Sequence, residues 1–71
     1  MSLKKINPGQ VVINIFGGVR RTAEAMDVDP ATVTRWRQNA HIPQKYWVKL
    51  IKVSADAGKK LSLEELSGIK V

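Results

Sequence analysis

The run Asp29-Pro30-Ala31-Thr32-Val33-Thr34-Arg35-Trp36-Arg37-Gln38 carries two kinds of side chain at helical spacing. Val33 and Trp36 are three apart, so on a helix they share one apolar face that needs a core. Ala31, Thr34, Arg35 and Gln38 then fall outward together, and their chemistry is hydrogen bonding plus one small methyl. Such a face can lie in the major groove of duplex DNA. A guanidinium fork matches guanine O6 and N7, so Arg35 can read guanine. A carboxamide donates and accepts side by side, so Gln38 can read adenine N6 and N7. Thr34 and Ala31 can meet a thymine methyl or a phosphate. The plain alternative is an ordinary solvated helix face.

Arg20 and Arg21 make a second, independent signal. The spacing puts them in the first turn of a helix, where the macrodipole is positive and each cation costs roughly 0.3 kcal/mol or more. A phosphate at that helix end reverses the balance, because it takes both backbone N–H groups and guanidinium donors. Glu24, one turn on, is the alternative partner. Arg37 can reach a phosphate from beside the polar face or stack on an aromatic ring of the core. His41 and Lys45 flank the loop Asn39-Ala40-His41-Ile42 and are secondary phosphate candidates. Lys49 and Lys52 read as a solvated stripe. Asp29 reads as a helix cap, with acceptance from cytosine N4 as its alternative.

The charge distribution agrees with these positions. The chain has 71 residues and a formal net charge of +6. Residues 1–52 hold nine Lys and Arg against three acids, whereas residues 53–71 hold three of each. The positive field therefore belongs to the segment with the candidate site, and a polyanion is its natural partner. Catalytic chemistry finds no support. With no cysteine and one histidine there is no ordinary zinc site. Ser54, Ser62 and Ser67 have no evident base, and Gly17-Gly18 lacks the phosphate-loop pattern. The reading is a non-enzyme with no cofactor and no metal. No apolar run approaches the ~20 residues that span a bilayer. The opening MSLKKINPG lacks the apolar stretch of a secretion signal. A cytoplasmic chain with no membrane partner is expected.

Proline and glycine divide the chain into about five short helices, an all-α fold in one domain over residues 1–71. Asn7 caps the first helix, with Pro8 at its first position and Gln10 three residues after the cap. Val11, Val12, Ile15 and Phe16 mark its apolar side, and Gly17-Gly18 ends it. The second helix runs from about Val19 to Met26, with Val19, Ala23 and Met26 inward. Asp27-Val28-Asp29 is a tight turn, and Asp29 caps the helix 30–39. Pro43 opens the longest helix, to about Ala57, with Lys45, Lys49, Lys52 and Asp56 as its polar stripe. Tyr46, Trp47, Leu50, Ile51 and Val53 form its buried side. Gly58 stops it, and Ser62-Leu63-Glu64-Glu65 is a capping box for a last helix within Leu61–Leu66. Ile69 and Val71 suit a short strand or a frayed tail.

Two short helices about a turn centred on Val28 form a helix-turn-helix, over about residues 19–39. Ala23 is small where the helices cross, Val28 tucks beneath both, and Val33 and Trp36 face the first helix. Ala23, Val28, Val33 and Trp36 in TAEAMDVDPATVTRW resemble the helix-turn-helix of phage Cro and repressor proteins. From Phe16-Gly17-Gly18 through Ile42-Pro43 to Leu63-Glu64-Glu65-Leu66 the chain resembles small Cro-like prophage regulators, over roughly residues 10–66. That resemblance implies a lambda-repressor-like domain, a transcriptional repressor acting on a double-stranded DNA operator, and a nucleoid-associated place in a bacterial host cell. It also implies base reading by the outward positions of the helix 30–39, with Pro30 and Thr32 close by. Where such proteins usually have glycine, this chain has Asp27, at a position that calls for a left-handed backbone.

One such module makes few base contacts, so a weak homodimer that tightens on DNA is expected. Its surface should use Leu61, Leu63, Leu66, Ile69 and Val71. The alternative function is a protein-interaction module, such as an antitoxin that binds a toxin partner. An interaction face would want an aromatic or aliphatic anchor among residues 31–38. This chain offers threonine, arginine and glutamine there.

Overall fold

In the computed structural model, which describes the backbone of residues 4–70 and the side chains of residues 6–68, five helices form an all-α domain. The order is β1 (Lys4–Lys5), α1 (Pro8–Phe16), α2 (Val19–Met26), α3 (Pro30–Asn39), α4 (Trp47–Asp56), α5 (Leu63–Ser67) and β2 (Ile69–Lys70). The two-residue strands pair antiparallel, Lys4 opposite Lys70 and Lys5 opposite Ile69. The Ile6 N–H extends this ribbon with a 2.8 Å bond to the Gly68 carbonyl. Ile69 thus lies in a strand; Val71 is outside the described residues, as is the Ile69 side chain.

Local chemistry sets most helix ends where the spacing predicts them. Asn7 Oδ1 accepts from the Gln10 N–H at 3.2 Å, with Pro8 in the first turn. The reciprocal half of a capping box is not formed, because the Gln10 carboxamide donates to Asn14 Oδ1 instead. Asn7 Nδ2 donates to the Arg37 carbonyl at 2.8 Å and so ties the start of α1 to α3. At α5 both halves of the box are present: Ser62 Oγ accepts from Glu65 N–H, and Glu65 Oε1 from Ser62 N–H. Asp27 closes α2 with φ 55 and ψ 48, the left-handed conformation its position demands. The Val28 N–H then reaches the Ala23 carbonyl at 3.0 Å, which turns the chain toward α3.

The core consists of Val12, Ile13, Ala23, Met26, Val33, Trp36, Ile42, Leu50 and Leu66. Val11, Val19, Val28 and Trp47 are only half-buried. Ile13 takes the place the spacing gave to Val11, because α1 is covered on two sides, by α2 and by α3. Two hydroxyls are buried as well. Thr22 Oγ1 donates to the Gly18 carbonyl at 2.8 Å and Ser54 Oγ to the Ile51 carbonyl at 2.9 Å, so neither is left unpaired. Gly9 lets α1 and α3 approach main chain to main chain. A Cβ there would lie 2.6 Å from the Trp36 carbonyl oxygen and closer still to Arg37 N and Trp36 C.

Three further expectations need correction. Pro43 does not open a helix that runs to Ala57. It is extended, a single 3-10 turn follows at Gln44–Tyr46, and α4 spans Trp47–Asp56. The Trp47 indole N–H donates back to the Ile42 carbonyl at 2.9 Å, and this bond holds the tight turn. Lys49 is not merely solvated, since its ammonium donates to the Met26 carbonyl at 2.7 Å. That bond satisfies an orphan acceptor at the C-terminal end of α2, where a cation is favoured. Leu66 is fully buried in the core and offers nothing to a dimer, and Leu61 is half-buried. The exposed large apolar side chains among the described residues are Val48, 80% accessible, and Leu63, 58% accessible.

Ala40 ends α3 with φ 48 and ψ 42, left-handed without being glycine. An L-residue pays roughly 1–2 kcal/mol for that conformation. Ala40→Gly is expected to raise stability by about 0.5 kcal/mol, since the relief exceeds the extra freedom of an unfolded glycine. Thermal unfolding checks it. A lower midpoint in the glycine chain would mean that the turn carries no such strain.

Candidate nucleic-acid interface

The helix α3 is held from beneath and left open above. Val33 is fully buried and Trp36 is 2% accessible, so the inward side is fixed by packing. Asp29 Oδ1 accepts from the Ala31 N–H at 2.8 Å and sets the start of the helix. Asp29 is thus a cap, as its position suggested. Ala31, Arg35 and Gln38 are exposed, as are Pro30 and Arg37. Thr34 is half-buried, and its hydroxyl donates to the Pro30 carbonyl at 3.1 Å. It can still accept a bond, but its proton is committed within the helix. Thr32 is half-buried on the other flank.

That flank opens on a cleft of about 250 Å³ between α3 and the loop that follows it. Arg35, His41 and Lys45 line it together with Thr32 and Asn39, above the rings of Trp36 and Tyr46. The two rings pack at 5.1 Å between centroids, tilted by 54°. Lys45 Nζ stands 5.2 Å from the Tyr46 ring centroid, a cation–π contact that draws its charge toward the cleft. Three candidate phosphate or base contacts that are up to ten residues apart in sequence therefore meet at one place beside the polar face of α3.

The pair Arg20 and Arg21 divides. Both are exposed. Arg20 lines a second cleft with Asp27 and Pro30, between α2 and the start of α3. Arg21 instead folds back over Gly17, where a Cβ would lie 3.4 Å from its Nη1. Gly17 closes α1, so the Arg21 guanidinium sits at the negative end of that helix dipole. This is an intramolecular reason for its charge that the sequence did not reveal. At the N-terminus of α2, Gly18 provides no side-chain cap. The first N–H groups of α2 therefore have no side-chain cap.

Arg37 lies on the flank of α3 turned toward α1, since its backbone is the part that abuts Gly9 and its carbonyl receives Asn7. It lines neither cleft. The described cation–π contact on the aromatic pair comes from Lys45 and not from Arg37. Asn39 is the residue that spacing alone could have flagged. It is exposed, stands four after Arg35 and shares its cleft. No described helix is long and apolar enough to cross a membrane. Comparisons with protein families, with curated proteins and with solved structures found no match to this chain.

Proposed function

We propose that this chain is a sequence-specific double-stranded DNA-binding transcriptional regulator that lays α3 in the major groove. The observation that carries the reading is the exposed face of α3. Ala31, Arg35 and Gln38 are exposed above a packed underside, and the hydrogen bonds of Asp29 and Thr34 involve none of these three side chains. The cations around that face support it, with Arg35 and Lys45 on one flank beside His41 and with Arg20 near the start of the helix. In this reading Arg35 and Gln38 read base edges, Ala31 and Thr32 make apolar or polar contacts beside them, and Pro30 and Thr34 shape the approach. Arg20, His41 and Lys45 take phosphates, while Arg21 and Arg37 lie at the margins.

The resemblance to Cro-like prophage regulators adds the biological label of repressor and the expectation of a dimer on two half-sites about 34 Å apart. It also implies a place on DNA in a bacterial cytoplasm. A protein-docking role for α3 is less favoured, because its outer face offers no large apolar anchor.

Selection of bound duplexes from a randomised library, repeated at several salt concentrations, tests the proposal. An inverted repeat with half-sites about one helical turn apart is the expected result. Weak, salt-sensitive binding with no recovered motif would overturn it. Arg20→Ala is expected to weaken every sequence alike and to reduce the salt slope by about one unit, as the loss of one phosphate contact should. A base preference that changes on Arg20→Ala would contradict the phosphate role.

A further inference from the structure

Histidine occurs once in this chain, and the fold puts it in the cleft beside α3. His41 is exposed, but its backbone is fixed on both sides. The His41 N–H donates to the Trp36 carbonyl at 3.1 Å. Ile42, the next residue, is fully buried and accepts from the Trp47 indole. The charged groups that share the cleft are Arg35, on α3, and Lys45, on the 3-10 turn. Tyr46 is the other titratable side chain there, and the remaining lining is uncharged. The six acids of the chain are Glu24, Asp27, Asp29, Asp56, Glu64 and Glu65, and none of them lines the cleft. An imidazolium at this place therefore has no carboxylate partner in the cleft. An anion that pairs with it has to come from outside the chain.

We propose that the cleft is a proton-linked oxyanion site, in which Lys45 and His41 together hold a phosphodiester or similar oxyanion and His41 takes up one proton from solvent as the anion binds. The DNA-binding reading supplies the phosphodiester as the source of the anion, and the inference rests on that reading for its biological meaning. Neutral imidazole offers one N–H and one lone pair, whereas imidazolium offers two N–H donors. A phosphodiester presents acceptors alone. It therefore selects the charged ring, which gives it a stronger, charge-assisted hydrogen bond. Histidine is the side chain whose charge changes between pH 5 and 8, and lysine stays cationic throughout that range. Phosphodiesters and sulfate both keep their charge there. The bound state then carries more protons than the free state. The sign follows from linkage: affinity is highest at the acid end of the window and falls as pH rises through it.

A single histidine makes the proton directly visible, because one imidazole C–H resonance titrates in the proton NMR spectrum. Its midpoint should lie about 0.5 pH higher or more in sodium sulfate than in sodium chloride of equal ionic strength. Lys45→Gln should remove most of that difference. Equal midpoints in the two salts, or a difference indifferent to Lys45→Gln, would overturn the site. The second arm uses a duplex of random sequence. Its affinity should rise about fivefold per chain from pH 8 to pH 6, and His41→Gln should flatten that profile. The terminal α-amino group titrates in the same range, so a slope that survives His41→Gln would overturn the assignment to His41. Circular dichroism checks that both variants stay folded. Duplex binding indifferent to pH would end the proton linkage and leave the DNA-binding reading standing. No duplex binding at any pH, with the sulfate effect intact, would end that reading and support the site for a free oxyanion.

Discussion

A chain with Gly9→Ala is expected to lose about 3 kcal/mol of stability. The added methyl collides with the Arg37 nitrogen and the Trp36 carbonyl, which are main-chain atoms and cannot rotate aside. Overpacking costs roughly 1–3 kcal/mol where side chains can adjust, and the upper end applies where they cannot. For a domain of 71 residues the total is of order 5–10 kcal/mol, so the loss is a large share of it. The thermal midpoint should fall by about 15 °C. Urea unfolding with an unchanged slope would separate this from a change of the unfolded state. Gly58→Ala is the control. Gly58 has φ 73 and no atom within 4 Å of its would-be Cβ, so backbone strain alone should cost about 1 kcal/mol. Equal losses from the two substitutions would show that the close approach of α1 and α3 is not the constraint. The consequence for function is direct. If α1 is driven off α3, the bond from Asn7 to Arg37 and the packing under Trp36 go with it, and the polar face loses its support.

Replacing Arg35 with alanine should abolish preference at one base pair of each half-site. A bidentate arginine contact discriminates by about 1–3 kcal/mol, a factor of roughly 10–100. Affinity for random duplexes should fall far less, by the loss of one positive charge near the backbone. Stability should stay within about 0.5 kcal/mol, because Arg35 is exposed and packs under nothing. Repeating the duplex selection with the variant measures the first effect, and filter binding to random DNA measures the second. A loss of equal size on selected and random sequences would place Arg35 on phosphate, together with His41 and Lys45 in the same cleft.

The elements around the candidate site were readable because short-range chemistry decides them. Asp29 before Pro30 starts α3, Asp27 permits the left-handed turn, and Val33 with Trp36 fixes which side of α3 faces inward. The capping box at Ser62 is equally local. Where reading from the sequence went astray, a group outside the capping and periodic pattern intervened, either four or five residues away or from across the fold. Gln10 sits three after a cap, but Asn14 competes for it. Lys49 falls on a polar stripe, but the carbonyl end of α2 lies within its reach. Pro43 precedes a helical pattern, but the Trp47 indole returns to Ile42 and tightens the first turn. Ile13 and Leu66 were harder still, since burial depends on how many neighbours cover an element and periodicity counts only one face.

By itself the sequence determined five helices, the tight turn between α2 and α3, and the outward array of Ala31, Arg35 and Gln38, because capping, glycine stops and the 3.6-residue repeat act within a few residues. Tertiary structure decided the rest. It brought Arg35, His41 and Lys45 to one cleft, turned Arg21 back onto Gly17, and made Gly9 the point where two backbones meet. It also drew Leu66 into the core and left Val48 outside. These outcomes depend on the distances between elements far apart in the chain, which packing sets and which no local pattern encodes.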